Sequence, residues 1–409
     1  MSTPRSRPTG RTIVLVLVVL TLAAIVAVVG LWTLRDEPEP ARRTDGPLPR
    51  SAGTLLEVEP LDSSPLPDSR AWRILYTTQR GGETVEASAA VYAPQDAALT
   101  DLPVLVWGHG TSGFARDCSP SAQADPMQAG SMYVGGEVLS RGWVLVAPDF
   151  PGIGPDGTQP YLIGEGAGRA LLDAARAVQE MDDVDTSDRT AVWGFSQGGH
   201  AALWAGALEP TYAPELDLVG VTALAPATGL REAFDRLPAQ DRLFAAYTMA
   251  SYDEAYDDVD WSDYATAEGE AFGRDLAAEC LAAPQDYADL AQRLMSFHDG
   301  QLFDQAFAGG AMGRRLAENE PPVAAVEAPL LIAQGSNDTV VPADQQAQVA
   351  AAACTAGKAL EYLAVEGRDH LGLVLEDSPA YPDVFAWTDA RFAGEPGPTE
   401  CVRGAAGRG

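Results

Sequence analysis

Ser196 stands between Gly194 and Gly198, where the apolar run 190–194 gives way to the Ala- and Leu-rich run 197–208. Glycines two residues either side of a serine, with a strand pattern before and a helix pattern after, predict a nucleophile elbow. The chain must turn sharply there through a strained residue, and glycine is needed where the two arms crowd. Such a turn lifts Oγ off the sheet. It also leaves the N–H of Gln197, at the helix N-terminus, free to stabilise a developing oxyanion. A Gly-rich turn that merely contains serine is the bland alternative, and the flanking strand and helix patterns weigh against it.

A serine hydroxyl is a weak nucleophile until a base within hydrogen-bond reach takes its proton. The sequence offers four histidines. His109 adjoins Gly110 in a loop after an early strand, and His298 falls in a helical stretch. His200 lies one turn past Ser196 on the same predicted helix, which directs its ring away from Oγ. His370 follows the run 360–365 in the loop 367–372 and is the expected general base. An imidazolium forming there needs a carboxylate to hold its tautomer and stabilise its charge. Asp338, in the turn-rich segment 334–342 beyond the run 329–333, fits that need. Asp369 is too close a chain neighbour of His370 to face its ring, and Asp377 lies in a polar stretch. A second oxyanion donor is expected from the glycine-rich loop 108–113, where Thr111 is the candidate.

These residues need a frame. Short β-type runs recur at 72–78, 84–93, 103–107, 143–148, 190–194, 219–225, 329–333 and 360–365, with helical patterns at 164–181, 197–208 and 343–354. Strands alternating with helices predict a mostly parallel sheet covered on both faces. Gly81-Gly82 between the first two runs predicts an antiparallel hairpin at the sheet edge. The alternation stops over 228–321, where amphipathic runs at 230–237, 241–252 and 286–297 predict a helical cap over the strand ends. Its apolar residues Leu230, Phe234, Leu243, Phe244 and Tyr247 either line an acyl site or pack the cap onto the body. The acidic cluster Asp253, Glu254, Asp257, Asp258, Asp260 and Asp263 lacks the glycine and distal glutamate of a calcium loop and reads as a solvated face.

Twenty-seven basic against 58 acidic residues give a net charge of −31. The first fifty residues carry +3, which leaves −34 on the other 359. A body this acidic repels phosphate backbones, so no nucleic-acid partner is expected. Residues 13–34 form a nearly unbroken apolar run behind Arg5, Arg7 and Arg11, long enough as a helix to cross a bilayer. No small-x-small cleavage site is evident, so the expectation is a signal anchor over 1–34, a linker over 35–54 and an extracytoplasmic domain over 55–401. Cleavage would instead release the domain. Cys118, Cys280, Cys354 and Cys401 show no metal-site spacing, and in an exported domain they predict two disulfides with three possible pairings. No metal or organic cofactor is expected: H-E-x-x-H does not occur, and ester hydrolysis by an activated serine needs neither.

The order Ser196, Asp338, His370 is that of the α/β-hydrolase fold. Together with His109-Gly110-Thr111, Ala147-Pro148-Asp149-Phe150, Gly152 and the run 161–175, it makes the stretch 55–401 resemble the microbial secretory lipase family, which includes fungal lipase A-type and bacterial exported enzymes. That resemblance implies an α/β-hydrolase sheet with an inserted helical lid, disulfides Cys118–Cys280 and Cys354–Cys401, and a carboxylic-ester hydrolase acting through an acyl-enzyme on a small-molecule or lipid ester. The long apolar N-terminal run departs from the family's usual cleaved signal. Acyl transfer or peptide hydrolysis uses the same three residues, and a catalytically inactive, membrane-tethered binding protein is a further reading. Covalent labelling by a fluorophosphonate separates the last from the others. Oligomeric state is not legible in the sequence.

Overall fold

The computed structural model describes residues 48–49, 51–61, 64–96, 98–152 and 160–406. The chain divides into Met1–Glu39 and Pro40–Gly409, and every described residue belongs to the second unit. The apolar run 13–34 and residues 35–47 of the expected linker lie outside the described residues. Among the described residues no helix is long and apolar enough to cross a membrane.

One mixed sheet organises the described residues. Its strands are β1 (Leu55–Pro60), β2 (Ser69–Arg80), β3 (Glu83–Pro94), β4 (Leu102–Gly108), β5 (Val144–Pro148), β6 (Thr186–Phe195), β7 (Asp217–Leu224), β8 (Leu330–Gly335), β9 (Glu361–Val365) and β10 (Val402–Ala405). They are ordered β1-β2-β3-β5-β4-β6-β7-β8-β9-β10. β1, β2, β3 and β5 pair antiparallel in turn, and everything from β5 to β10 is parallel. This is the α/β-hydrolase arrangement expected from the sequence.

Both faces of the sheet are buried, which explains why its central strands are apolar throughout rather than alternating. Along β4, Val104 and Val106 face one core while Leu105 and Trp107 face the other; along β6, Val192 opposes Ala191 and Trp193 in the same way. Helices α1 (Gly164–Gln179), α2 (Gln197–Tyr212) and α3 (Ala343–Thr355) cover the first face. The second face is aromatic, with Trp143, Trp193, Tyr381 and Phe385 in one cluster.

The Gly81-Gly82 hairpin forms as expected but is not the edge of the sheet. β1 pairs outside β2, because the N–H groups of Gly53, Thr54 and Leu55 bond to Thr77 O, Thr77 Oγ1 and Glu180. The opposite edge is β10, beside β9. Helix Tyr381–Phe392, which carries the aromatic layer, was also not anticipated.

Between β7 and β8 the chain leaves the sheet for a helical insert. It holds α-helices Leu230–Arg236, Leu243–Ala255, Ala267–Ala277, Pro284–Ser296 and Gly310–Glu318 around a separate core that includes Tyr247, Tyr252, Trp261 and Leu294. Entry and exit are pinned together, since the carboxylate of Glu320 accepts the N–H groups of Gly229 (2.6 Å) and Leu230 (2.8 Å). Asn319, next to it, accepts Gly164 N–H through Oδ1 and the Nε2–H of His200 through its carbonyl. Further links join the insert to the body. Cys118 is disulfide-bonded to Cys280, and Leu281 N–H donates to Ser112 O at 2.8 Å. A second disulfide joins Cys354 on α3 to Cys401 beside β10. Within the acidic cluster, Asp253 accepts from Trp261 N–H and pairs with Arg274, while Asp258 pairs with Arg314 and Arg315. Among the described residues no group of His, Cys, Asp or Glu converges to hold a metal.

Candidate active site

The turn at the end of β6 is steric in origin. Ser196 adopts φ 54° and ψ −114°, between strand and helix. A Cβ on Gly194 would lie 2.0 Å from Gly198 O, and one on Gly198 would lie 1.9 Å from Gly108 O. Neither position has room for a side chain. The backbone N–H of Ser196 donates to Leu224 O on the neighbouring strand, and His200 and Ala227 N–H groups donate to Ser196 O. The strained residue is therefore held from both sides.

Two loops at the ends of β8 and β9 are tied to each other beside this turn. Ser336 N–H donates to Val365 O, Asn337 N–H to Arg368 O, and Gly367 N–H to Ser336 Oγ. Asp338 sits on one loop and His370 on the other. Their side chains meet, with His370 Nδ1 2.7 Å from Asp338 Oδ2 and His370 Nε2 2.9 Å from Ser196 Oγ. Asp338 Oδ1 accepts from the N–H groups of Val340 and Val341, and Oδ2 also accepts from the Gln334 side chain at 2.9 Å. Asp338 is buried, and these donors replace the water its carboxylate loses. Phe195 packs against the imidazole with ring centroids 4.8 Å apart.

The three side chains singled out in the sequence thus form one hydrogen-bonded chain. Of the expected oxyanion donors, Gln197 is the first residue of α2 and buried, and Thr111 lines the same cavity as Ser196 with its hydroxyl 2.8 Å from the Tyr161 phenol oxygen. The other histidines lie elsewhere. His109 is buried and donates to Gly110 O, and His200 is buried and donates to Asn319 O; burial pulls each down to about 4. His298 is exposed, 3.8 Å from Glu268. Asp369 accepts Gly372 N–H, and Asp377 pairs with Arg368.

The chain matches the secretory lipase family model over residues 121–399. It belongs to the secretory lipase family. Candida albicans lipase 7 is 31% identical over 170 residues, covering 38% of this chain and 37% of that lipase. Lipase 2 of the same organism is 27% identical over 276 residues, covering 63% and 57%. The aligned part therefore spans about a third to little more than half of these relatives' length. The fold is similar to that of Candida antarctica lipase A in its closed state, with a TM-score of 0.72, 19% identity, and 88% and 87% of the two chains covered.

Two cavities of this secretory-lipase family member reach Ser196. The larger, about 370 Å³, runs between the loops at the ends of β8 and β9 and the insert; the smaller, about 40 Å³, is lined by Leu230, Phe234, Leu237 and Phe244 of the insert. Leu230, Phe234 and Phe244, for which the sequence left open an acyl site or packing of the cap, line this space. Leu243 and Tyr247 instead sit in the insert's own core. Asp241 was not singled out from the sequence; it lies in the larger cavity and accepts a hydrogen bond from the Tyr287 phenol. Burial raises its pKa, opposed by the Tyr287 hydrogen bond and by His370. Nothing about the short segment 239–241 betrays this position; only the pairing with Tyr287, 46 residues on, reveals it.

Proposed function

We propose that the chain is a carboxylic-ester hydrolase that works through an acyl-enzyme, with Ser196 as nucleophile, His370 as general base and Asp338 as the carboxylate that orients it. The observation that carries this reading is the unbroken chain from Ser196 Oγ through His370 to Asp338. His370 Nε2 takes the hydroxyl proton as Oγ attacks the ester carbonyl, and Asp338 holds Nδ1–H and stabilises the imidazolium. The N–H groups of Gln197 and Thr111 receive the oxyanion. The tetrahedral intermediate collapses as His370 protonates the departing alkoxide. Water then enters, loses its proton to His370 and releases the acid from Ser196.

In this reading the domain spans 55–401, with 228–321 as a cap over the catalytic centre, and the substrate is a small or lipid ester, in keeping with the lipases it resembles. The chain acts outside the cytoplasm, which its two disulfides favour. The apolar run 13–34 anchors it to the membrane or, if cleaved, directs its release.

Ser196→Ala removes the nucleophile without adding volume. Turnover of p-nitrophenyl butyrate is expected to vanish with the circular dichroism spectrum unchanged, and fluorophosphonate labelling is expected in the wild type alone. Undiminished turnover by Ser196→Ala would overturn the reading.

A further inference from the structure

We propose that Asp241 and Tyr287 form a subsite for the alcohol part of the substrate and select esters whose alcohol carries free hydroxyl groups. This rests on the hydrolase reading above and extends it to substrate class.

The two cavities that meet at Ser196 differ in chemistry. Along the smaller one, Ser196 and Tyr161 alone among the lining side chains carry a polar atom, so it suits the hydrocarbon of a short acyl group. Its volume, about 40 Å³, leaves room for little more. The alcohol must then occupy the larger cavity, whose insert-side wall carries Gln240, Asp241 and Tyr287. Neither cavity is lined by a lysine or arginine.

A carboxylate in such a place requires an explanation, because burying one without a cation is costly unless hydrogen bonds replace its water. Asp241 is only 1% exposed. Its Oδ1 accepts the Tyr287 hydroxyl, and Oδ2 accepts no hydrogen bond among the described residues. Among the described residues the side chain caps no helix, and the backbone N–H of this residue donates to Pro238 O. Tyr287 is fixed by stacking on Phe244 and, having donated its proton to Asp241, keeps only acceptor capacity. The pair therefore offers two acceptors and no free donor. Donor-bearing groups satisfy it, and carboxylate or phosphate groups are repelled. A neighbouring pair of alcohol hydroxyls, as on a monoacylated glycerol, meets both acceptors at once. A fully acylated or simple alkyl ester leaves them unpaired in the cavity wall, which is the kind of mismatch that polar sites discriminate strongly against.

The experiment compares kcat/KM of the full chain on glycerol 1-monobutyrate, ethyl butyrate and butyrylcholine, which share an acyl group and differ in the alcohol. In the wild type the glycerol ester is expected to be preferred. Asp241→Leu is expected to lower the ratio of glycerol monobutyrate to ethyl butyrate about tenfold or more, the size of a lost hydrogen bond to a charged group. Tyr287→Phe is expected to lower it by a smaller factor, and decides the matter if Asp241→Leu does not fold. A ratio unchanged in the folded variants, with ethyl butyrate still hydrolysed by the wild type, would overturn this proposal alone. A ratio that falls only for butyrylcholine would also overturn it, by assigning the subsite to a cation. A wild type that hydrolyses none of the three would strike down the hydrolase reading and this one with it.

Discussion

In the proposed mechanism Asp338 is the residue on which the base depends: it lies 2.7 Å from Nδ1 of His370 and favours the tautomer whose Nε2 accepts from Ser196. Asp338→Asn presents an amide in the same shape and favours the wrong tautomer, so kcat on p-nitrophenyl butyrate is expected to fall about 10⁴-fold with the fold retained. Its supporting donor, the Gln334 side chain, also bonds Val341 O. Gln334→Leu is expected to lower kcat about tenfold with little change in KM, measured on the same ester, since one charged hydrogen bond is lost behind the base. The convergence of these three side chains was legible in the sequence because each candidate stands in a distinctive setting: a glycine-flanked turn for Ser196 and loops at strand ends for Asp338 and His370. Gln334 and Asp241 were not, since each acquires its role from a partner that the local sequence does not name.

At the scale of elements, the crossing of the elbow over β4 is the tightest requirement. A methyl group on Gly198 would stand 1.9 Å from the carbonyl oxygen of Gly108, a rigid backbone atom. Gly198→Ala is therefore expected to cost about 3 kcal/mol or more, read as a lower urea midpoint, and to abolish turnover in whatever folds. Central strands were readable from runs of Val, Leu and Ala because burial on both faces leaves no polar alternation to confuse them. The edge strands β1 and β10 were not. Leu55–Pro60 alternates acids with apolar residues and Val402–Ala405 is only four residues long. Each becomes a strand through its neighbour rather than through its own propensity.

For the whole molecule, acid is the most informative stress. His109 and His200 titrate near 4 in the folded chain against an ordinary 6.5, so between those values the unfolded chain binds more protons. Their contribution is complete above about pH 6.5 and is lost as pH falls through 4, on the order of 3 kcal/mol for each. Asp149, Asp173 and Glu320 are raised by burial and act in the opposite sense, losing stability as pH rises through their shifted values. His200→Gln isolates one of the two histidines: the difference in unfolding free energy between pH 7 and pH 4 is expected to shrink relative to the wild type, and an identical difference would refute the assignment. The disulfide between Cys118 and Cys280 spans 162 residues, and replacing both by Ala is expected to cost about 2–5 kcal/mol, seen as a lower Tm.

The pinning of Gly229 and Leu230 by Glu320 has a wider meaning. A polypeptide excursion that departs from its host and returns at a single point adds almost nothing to the constraint on the host, since the gap it must close is one hydrogen bond wide. The sheet and the insert can consequently diverge at different rates, and under the proposed function exchanging the insert between relatives is expected to alter which esters are accepted while leaving Ser196, Asp338 and His370 where they are.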